Sequence, residues 1–361
     1  MHQILSHVAG AGHRFAGRAR GYPRTHEAVT GHATPTEDRM PASPDRPRAV
    51  ALRALKLGDL LVAVPALHAL RRALPEHRIS LAATGWLAPM VPLLDAVDDF
   101  VPLTGLVPFT FDTPPDVAVN LHGAGPPSTT ILDALTPRRR IGHAGDGWPG
   151  PDWHDDLPER HRWCRMVRAH GIPADPEEVW LAEPAVRSPR PGATLVHPGG
   201  RYGAKRWPPE RFSAVARALA DRGHEVVVTG GQGERALGAD VVTRAGLPPT
   251  ALLADNTDLP ELAALVAEAA LIVCGDTGIA HLSYAYATPS VVLFGPAPAA
   301  VWGPPREGPH RALSHDDLRR GDTFGADPDP ALLAVTVDEV LAAVDQVLAA
   351  SRRERSRRAR A

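Results

Sequence analysis

Short apolar runs alternate along the chain with stretches whose apolar residues recur at three and four positions, the pattern of strands followed by amphipathic helices. In the first half, Arg48–Leu55, Arg78–Ala83 and Asp116–Leu121 read as strands and Pro65–Leu74 as a helix. A second series opens with strand Ala193–His197. It continues through helix Pro208–Ala220, strand Glu225–Thr229, helices Glu234–Ala245 and Pro260–Ala269, strand Leu271–Cys274, helix Ile279–Ala287 and strand Ser290–Phe294. Alternation of this kind builds parallel sheets from βαβ units. Pro208 and Pro260 stand where the first turn of a helix has N–H groups to spare. Between the two series Pro184, Pro189 and Pro191 stiffen a short stretch, as in an interdomain linker.

The expected organisation is a disordered extension over 1–47, a domain over 48–187 and a second over 188–335. A helix follows within 336–350 (Thr336–Ala349), expected to pack back on the first domain, and then a basic tail over 351–361. The extension shows no sustained helical or strand period. The tail carries six Arg and one Glu and reads either as a solvated end or as a contact for anionic lipid or RNA.

A length of 361 residues fits two domains, and 44% hydrophobic with 22% charged residues fits folded cores. Lys and Arg total 39 against 41 Asp and Glu, so no overall field recruits nucleic acid and any anion site must be local. The two cysteines, Cys164 and Cys274, form no CxxC pair or metal-ligand spacing, which points to a reducing compartment. No run reaches the roughly 18 apolar residues of a membrane span, and residues 1–46 lack the apolar core of a secretory signal. The expectation is a cytoplasmic, monomeric protein whose basic tail is a solvated end or, alternatively, a contact with the inner face of the plasma membrane.

Chemistry concentrates at predicted strand ends. Leu57-Gly58-Asp59 follows the first strand, where a glycine lets a ligand approach the backbone; Asp59 reads equally as a site carboxylate or as a helix N-cap. His197–Pro208 (HPGGRYGAKRWP) runs from a strand end to a helix start. There Gly199, Gly200 and Gly203 free backbone N–H groups for an anion, and Arg201, Lys205 and Arg206 add charge: a diphosphate cradle, or else a solvated turn. Gly275–Gly278 (GDTG) places the Thr277 and Gly278 amides at a helix start with His281 one turn in. Asp276 beside a phosphate makes sense if it orients Lys205 or takes a sugar hydroxyl. Thr229–Glu234, with Gly231 and Glu234, is a nucleoside-contacting loop or a plain turn, and it lacks GxGxxG spacing. The loop with His122 and Gly123 either faces the cleft or only turns. Asp98-Asp99 and Asp155-Asp156 read as solvated turns, and no strand-end loop carries a DxD pair for a metal.

Taken together, LKLGD(x)5P at 55–65, RRRIGH at 138–143, HPGGRYGAKRWP at 197–208, VTGGQGE at 228–234 and CGDTGIAHL at 274–282 resemble glycosyltransferase family 9, the heptosyltransferases. The resemblance implies an α/β protein of GT-B fold, two doubly wound Rossmann-like domains facing a central cleft, with 48–187 on the acceptor side and 188–335 binding the donor nucleotide. It implies an inverting transferase without metal or cofactor, taking a nucleotide-diphosphate sugar such as ADP-heptose to a glycan or lipid-linked acceptor. Asp59 would be the base. Lys205, Asp276, Thr277, Gly278, His281, Gly199, Gly200, Arg201, Gly231 and Glu234 would bind the donor, and Gly58, His122 and Gly123 would lie on the acceptor side. A sugar-nucleotide epimerase of the same shape and a non-catalytic nucleotide-sugar-binding protein are the alternatives.

Overall fold

In the computed structural model, which describes residues 46–358, two five-stranded sheets carry the chain. The first holds β1 (Arg48–Arg53), β2 (Arg78–Thr84), β3 (Asp99–Leu103), β4 (Val117–Asn120) and β5 (Arg139–Ile141) in the order β3-β2-β1-β4-β5. The second holds β6 (Thr194–His197), β7 (Val226–Val228), β8 (Leu271–Gly275), β9 (Ser290–Leu293) and β10 (His310–Leu313) in the order β10-β9-β8-β6-β7. All pairings between these strands are parallel. Runs such as Val226–Val228 are apolar and buried throughout because helices cover both faces of a parallel sheet. Apart from Arg46 and Pro47, the expected N-terminal extension lies outside the described residues, as do residues 359–361.

The strands that periodicity did not reveal, β3, β5 and β10, all stand at sheet edges. Their sequences, DFVPL, RRI and HRAL, are short and half polar, as edge strands are, and so carry no apolar run. The acidic pair Asp98-Asp99 is no solvated turn. Asp99 begins β3 and pairs with Arg78 and Arg48, and Asp98 pairs with Arg71. Arg78 holds the Asp99 carboxyl below its ordinary range.

The topology points to where a ligand would sit. Strand order reverses between β1 and β4 in the first sheet and between β6 and β8 in the second, and open parallel sheets bind ligands beyond the carboxyl ends at such reversals. The chain passes from one sheet to the other between Ala182, whose N–H donates to Leu93 O at 2.8 Å, and Ser188, whose N–H donates to Glu268 Oε1 at 3.0 Å. The largest buried cluster draws on both sheets, with Leu57, Leu60 and Trp163 from the first half and Ile279, Leu282 and Phe294 from the second.

The final helix, Val337–Arg358, differs from expectation in two ways. It packs on the helix Pro209–Asp221 and on β9 and β10, not back on the first sheet. Val340, Val344 and Val347 are buried there against Phe212, Val291 and Leu293, each worth up to about 1.5–3 kcal/mol of transfer free energy. The helix also continues through Arg358, so the segment read as a tail from Ser351 is helical over its described length.

Buried histidines give the fold a pH dependence. His143 lies edge-on to Trp153 and Trp163 with neither ring nitrogen partnered, and burial drives its pKa down to about 4. His310 is lowered to about 4 for the same reason. Between pH 6.5 and 4 the unfolded chain therefore binds more protons than the folded one, so stability is full above about pH 6.5 and is lost as pH falls towards 4. A melting temperature that is level from pH 7.5 to 6.5 and then declines is the expected result; a level curve down to pH 5 would contradict it.

Candidate active site

On the first-sheet side, β1 ends at Arg53 and the chain turns directly into the helix Leu57–Leu61. Asp59 is the third residue of that helix and not its N-cap. Its carboxylate reaches back to accept the Lys56 backbone N–H at 3.2 Å, which ties the turn without using both oxygens. Arg53 fixes this turn from beneath. The fully buried guanidinium donates to the Leu121 carbonyl and, at 2.8 Å, to the Asp59 carbonyl. It lies 4.6 Å from the Trp163 ring and 3.8 Å from Asp59 Oδ1. The Asp59 side chain is a quarter exposed.

After β4, the Asn120 side chain receives the His122 backbone N–H at 3.1 Å and donates to the Gly123 carbonyl at 3.0 Å, closing a tight turn. His122 is held neutral, its pKa lowered to about 4 by burial and then by the charge of Arg53. Asp59 acts on it in the opposite sense. Two neighbouring strand ends thus bring Asp59, His122 and Gly123 to one reversal point.

On the second-sheet side, the loop after β6 and the turn after β8 meet through an ion pair. Lys205 Nζ lies 2.7 Å from Asp276 Oδ2, with Asp276 only 7% exposed and Lys205 22%. An ammonium has three donors, so this pair leaves two for a ligand. Thr277 caps the helix Gly278–Ala285 with extended backbone and no side-chain cap bond, so its hydroxyl is not committed to the helix. His281, one turn inside, is buried, and burial lowers its pKa to about 4. At neutral pH it is an uncharged imidazole, even though Asp276 and Asp59 both favour its protonation.

The glycine-rich cradle differs from its sequence reading. Glu234 fills it: its carboxylate accepts the Gly200 N–H at 2.9 Å and the Gly231 N–H at 2.8 Å, and it lies hard against Gly199. These amides are taken by a carboxylate of the chain itself. Arg206, itself exposed, donates to the Gly200 carbonyl at 2.6 Å, so its charge closes the loop on itself. Arg201 stays exposed, 5.7 Å from the Tyr202 ring. Among the cations of this loop, Lys205 is the one seated on an acidic partner at the strand ends.

The two sides touch. A Cβ on Gly58 would come within 3.0 Å of His281 Cδ2, and one on Gly278 within 3.0 Å of the Leu57 side chain, so both glycines are required by close approach. The turn that carries Asp59 thereby meets the helix that follows Asp276, and the charges of Asp276, Asp59 and Lys205 all reach His281. Motif reading found the strand-end loops but missed Arg53 and Lys56. The available signals were a charge at the end of an otherwise apolar strand and a lysine inside the LGD turn. Among the described residues no group of three or more His, Cys, Asp or Glu side chains is arranged to hold a metal ion. Among the described residues no helix is long and apolar enough to cross a membrane.

Comparison with known proteins adds the following. Residues 172–316 match the sequence model of glycosyltransferase family 9 (heptosyltransferase). A lipopolysaccharide heptosyltransferase 3 of Escherichia coli is 32% identical over 167 residues, 44% of this chain and 47% of that protein. The chain spans about half the length of the curated relatives it matches. A glycosyl transferase family 9 structure from Veillonella parvula superposes with a TM-score of 0.69 at 18% identity, over 84% of this chain and 97% of that one. The structure of the E. coli ADP-heptose lipopolysaccharide heptosyltransferase II does so with 0.68 at 19%, over 84% and 99%. At these identities the likeness speaks for the fold, which is the expected GT-B. The resemblance to family 9 holds over 172–316, a segment that contains the cradle and the Asp276 turn but not the Asp59 turn.

Proposed function

We propose that this chain, of GT-B fold and with a family 9 sequence over 172–316, is an inverting, metal-independent glycosyltransferase. Its donor would be ADP-heptose or a related nucleotide-diphosphate sugar, and its acceptor a hydroxyl of a glycan or lipid-linked glycan. The observation that carries this reading is the close approach of the Asp59 turn, through Gly58 and His281, to the helix start beside the Lys205–Asp276 pair.

In this reading the acceptor oxygen attacks the anomeric carbon from the Asp59 side while the bond from that carbon to the diphosphate oxygen breaks on the Lys205 side. The acceptor proton passes to the Asp59 carboxylate and the bonding electron pair leaves with the nucleoside diphosphate. A carboxylate is a weak base towards an alcohol, so proton transfer follows bond cleavage, when the oxocarbenium-like centre has made the attacking oxygen acidic. The two free donors of Lys205, with the Thr277 hydroxyl and the amides of the helix start, stabilise the departing charge. Glu234 already occupies the glycine amides, and its remaining acceptor capacity suits hydroxyl groups of the donor better than phosphate.

The reading is tested by calorimetry with ADP, GDP, UDP and dTDP, followed by transfer assays with the sugar conjugate of whichever binds. Binding of none of them would sink it. Activity is also expected to survive EDTA, since Lys205 and the helix start take the role a divalent cation would have. Loss of turnover on chelation, restored by Mg²⁺ or Mn²⁺, would overturn the metal-independent mechanism.

A further inference from the structure

Lys56 is a charged residue of the cleft that the mechanism above does not use. It stands in the turn between β1 and the helix Leu57–Leu61, on the first-sheet side, yet its ammonium lies 5.0 Å over the ring of Tyr202 in the second-sheet loop. Tyr202 is backed edge-on by Phe324 at 5.1 Å between centroids. Asp59, the nearest acid in sequence, takes the Lys56 backbone N–H and not its ammonium. Burial lowers the Lys56 pKa from its ordinary value, and Arg201 and Lys205 press it the same way while Asp59 opposes them. An ammonium crowded by two other cations, with an aromatic face as its contact, is short of an anion.

We propose that Lys56 is a second ligand of the donor diphosphate, reaching from the acceptor-side half to phosphates that Lys205 holds from the other. This rests on the reading of the cleft as a nucleotide-diphosphate-sugar site. The sugar hangs on the terminal phosphate and its anomeric carbon must face Asp59, so the terminal phosphate is the one closest to the first-sheet wall. Lys56 lies three residues before Asp59 on that wall. Cations on both walls make the donor's charge a tie between the halves, and this tie should be specific to a diphosphate because a monophosphate does not extend to it.

The test is calorimetry of ADP and AMP with the wild-type chain, Lys56→Met and Lys56→Arg, with the melting temperature of each ligand-free protein as a folding check. Wild type should bind ADP more tightly than AMP. Lys56→Met should lose about ten- to a hundredfold in ADP affinity, the size of a charge-assisted hydrogen bond, while AMP affinity stays unchanged. Lys56→Arg should keep most of the ADP affinity. ADP binding by Lys56→Met at the wild-type level overturns the inference alone. So does an equal loss for ADP and AMP, which is what a disturbed Tyr202 contact would give. If the wild-type chain binds GDP, UDP or dTDP in place of ADP, that diphosphate and its monophosphate are the pair compared; binding of none of the four removes the donor reading and this inference with it.

Discussion

Asp59→Asn is expected to lower kcat by about two to four orders of magnitude, the usual contribution of a positioned proton acceptor, with donor affinity and melting temperature nearly unchanged. The substitution is a clean one because of where Asp59 sits. Its structural task is to accept the Lys56 N–H from the third position of a short helix, and an asparagine oxygen can do that as well. Arg53 loses the carboxylate 3.8 Å away but keeps its bonds to the carbonyls of Asp59 and Leu121 and its seat against Trp163. What asparagine cannot do is take a proton from an alcohol. Near-normal turnover in the variant would make Asp59 a structural residue of the turn; lost turnover with lost stability would leave the two roles merged. Transfer rate, nucleotide affinity and melting temperature are measured together on the one variant.

Lys205→Met should weaken nucleoside diphosphate binding by about ten- to a hundredfold, corresponding to a charge-assisted hydrogen bond of about 1.5–3 kcal/mol. It should also lower the melting temperature, because Asp276, 7% exposed, is left as a buried carboxylate without its cation. The double variant Lys205→Met/Asp276→Asn separates the effects. Stability should recover when the orphaned charge goes, while diphosphate affinity stays low. Unchanged diphosphate affinity in Lys205→Met, measured by calorimetry, would reduce the lysine to a structural partner of Asp276.

The central strands were legible because they are buried on both faces and must be apolar throughout; Leu271–Gly275 and Ser290–Leu293 stand out in the sequence for that reason. The edge strands β3, β5 and β10 were not, since half their surface meets water and a proline or arginine is tolerated there. The strand-end loops of the site were legible through their glycines and their position after apolar runs. Their internal wiring was not. Nothing in the spacing of Gly200, Gly231 and Glu234 says that a carboxylate fills the nest, because that depends on two loops meeting after β6 and β7. Arg206 looked equivalent to Lys205, yet a single backbone turn sends one to the Gly200 carbonyl and the other to Asp276. The final helix has an apolar stripe that the sequence shows plainly, but which sheet receives it is decided by a surface formed from Phe212, Val291 and Leu293, far apart in the chain.

The measurement that bears most directly on the account is the anomeric configuration of the transferred sugar, read by NMR on product formed from ADP-heptose of known configuration. In the proposed mechanism Asp59 and the Lys205–Asp276 pair act from opposite walls, so the acceptor enters opposite the departing diphosphate, and the product should carry the inverted configuration. A product with retained configuration would contradict the account, because it requires attack from the side that the leaving group occupies or a second displacement that a single opposed carboxylate does not provide.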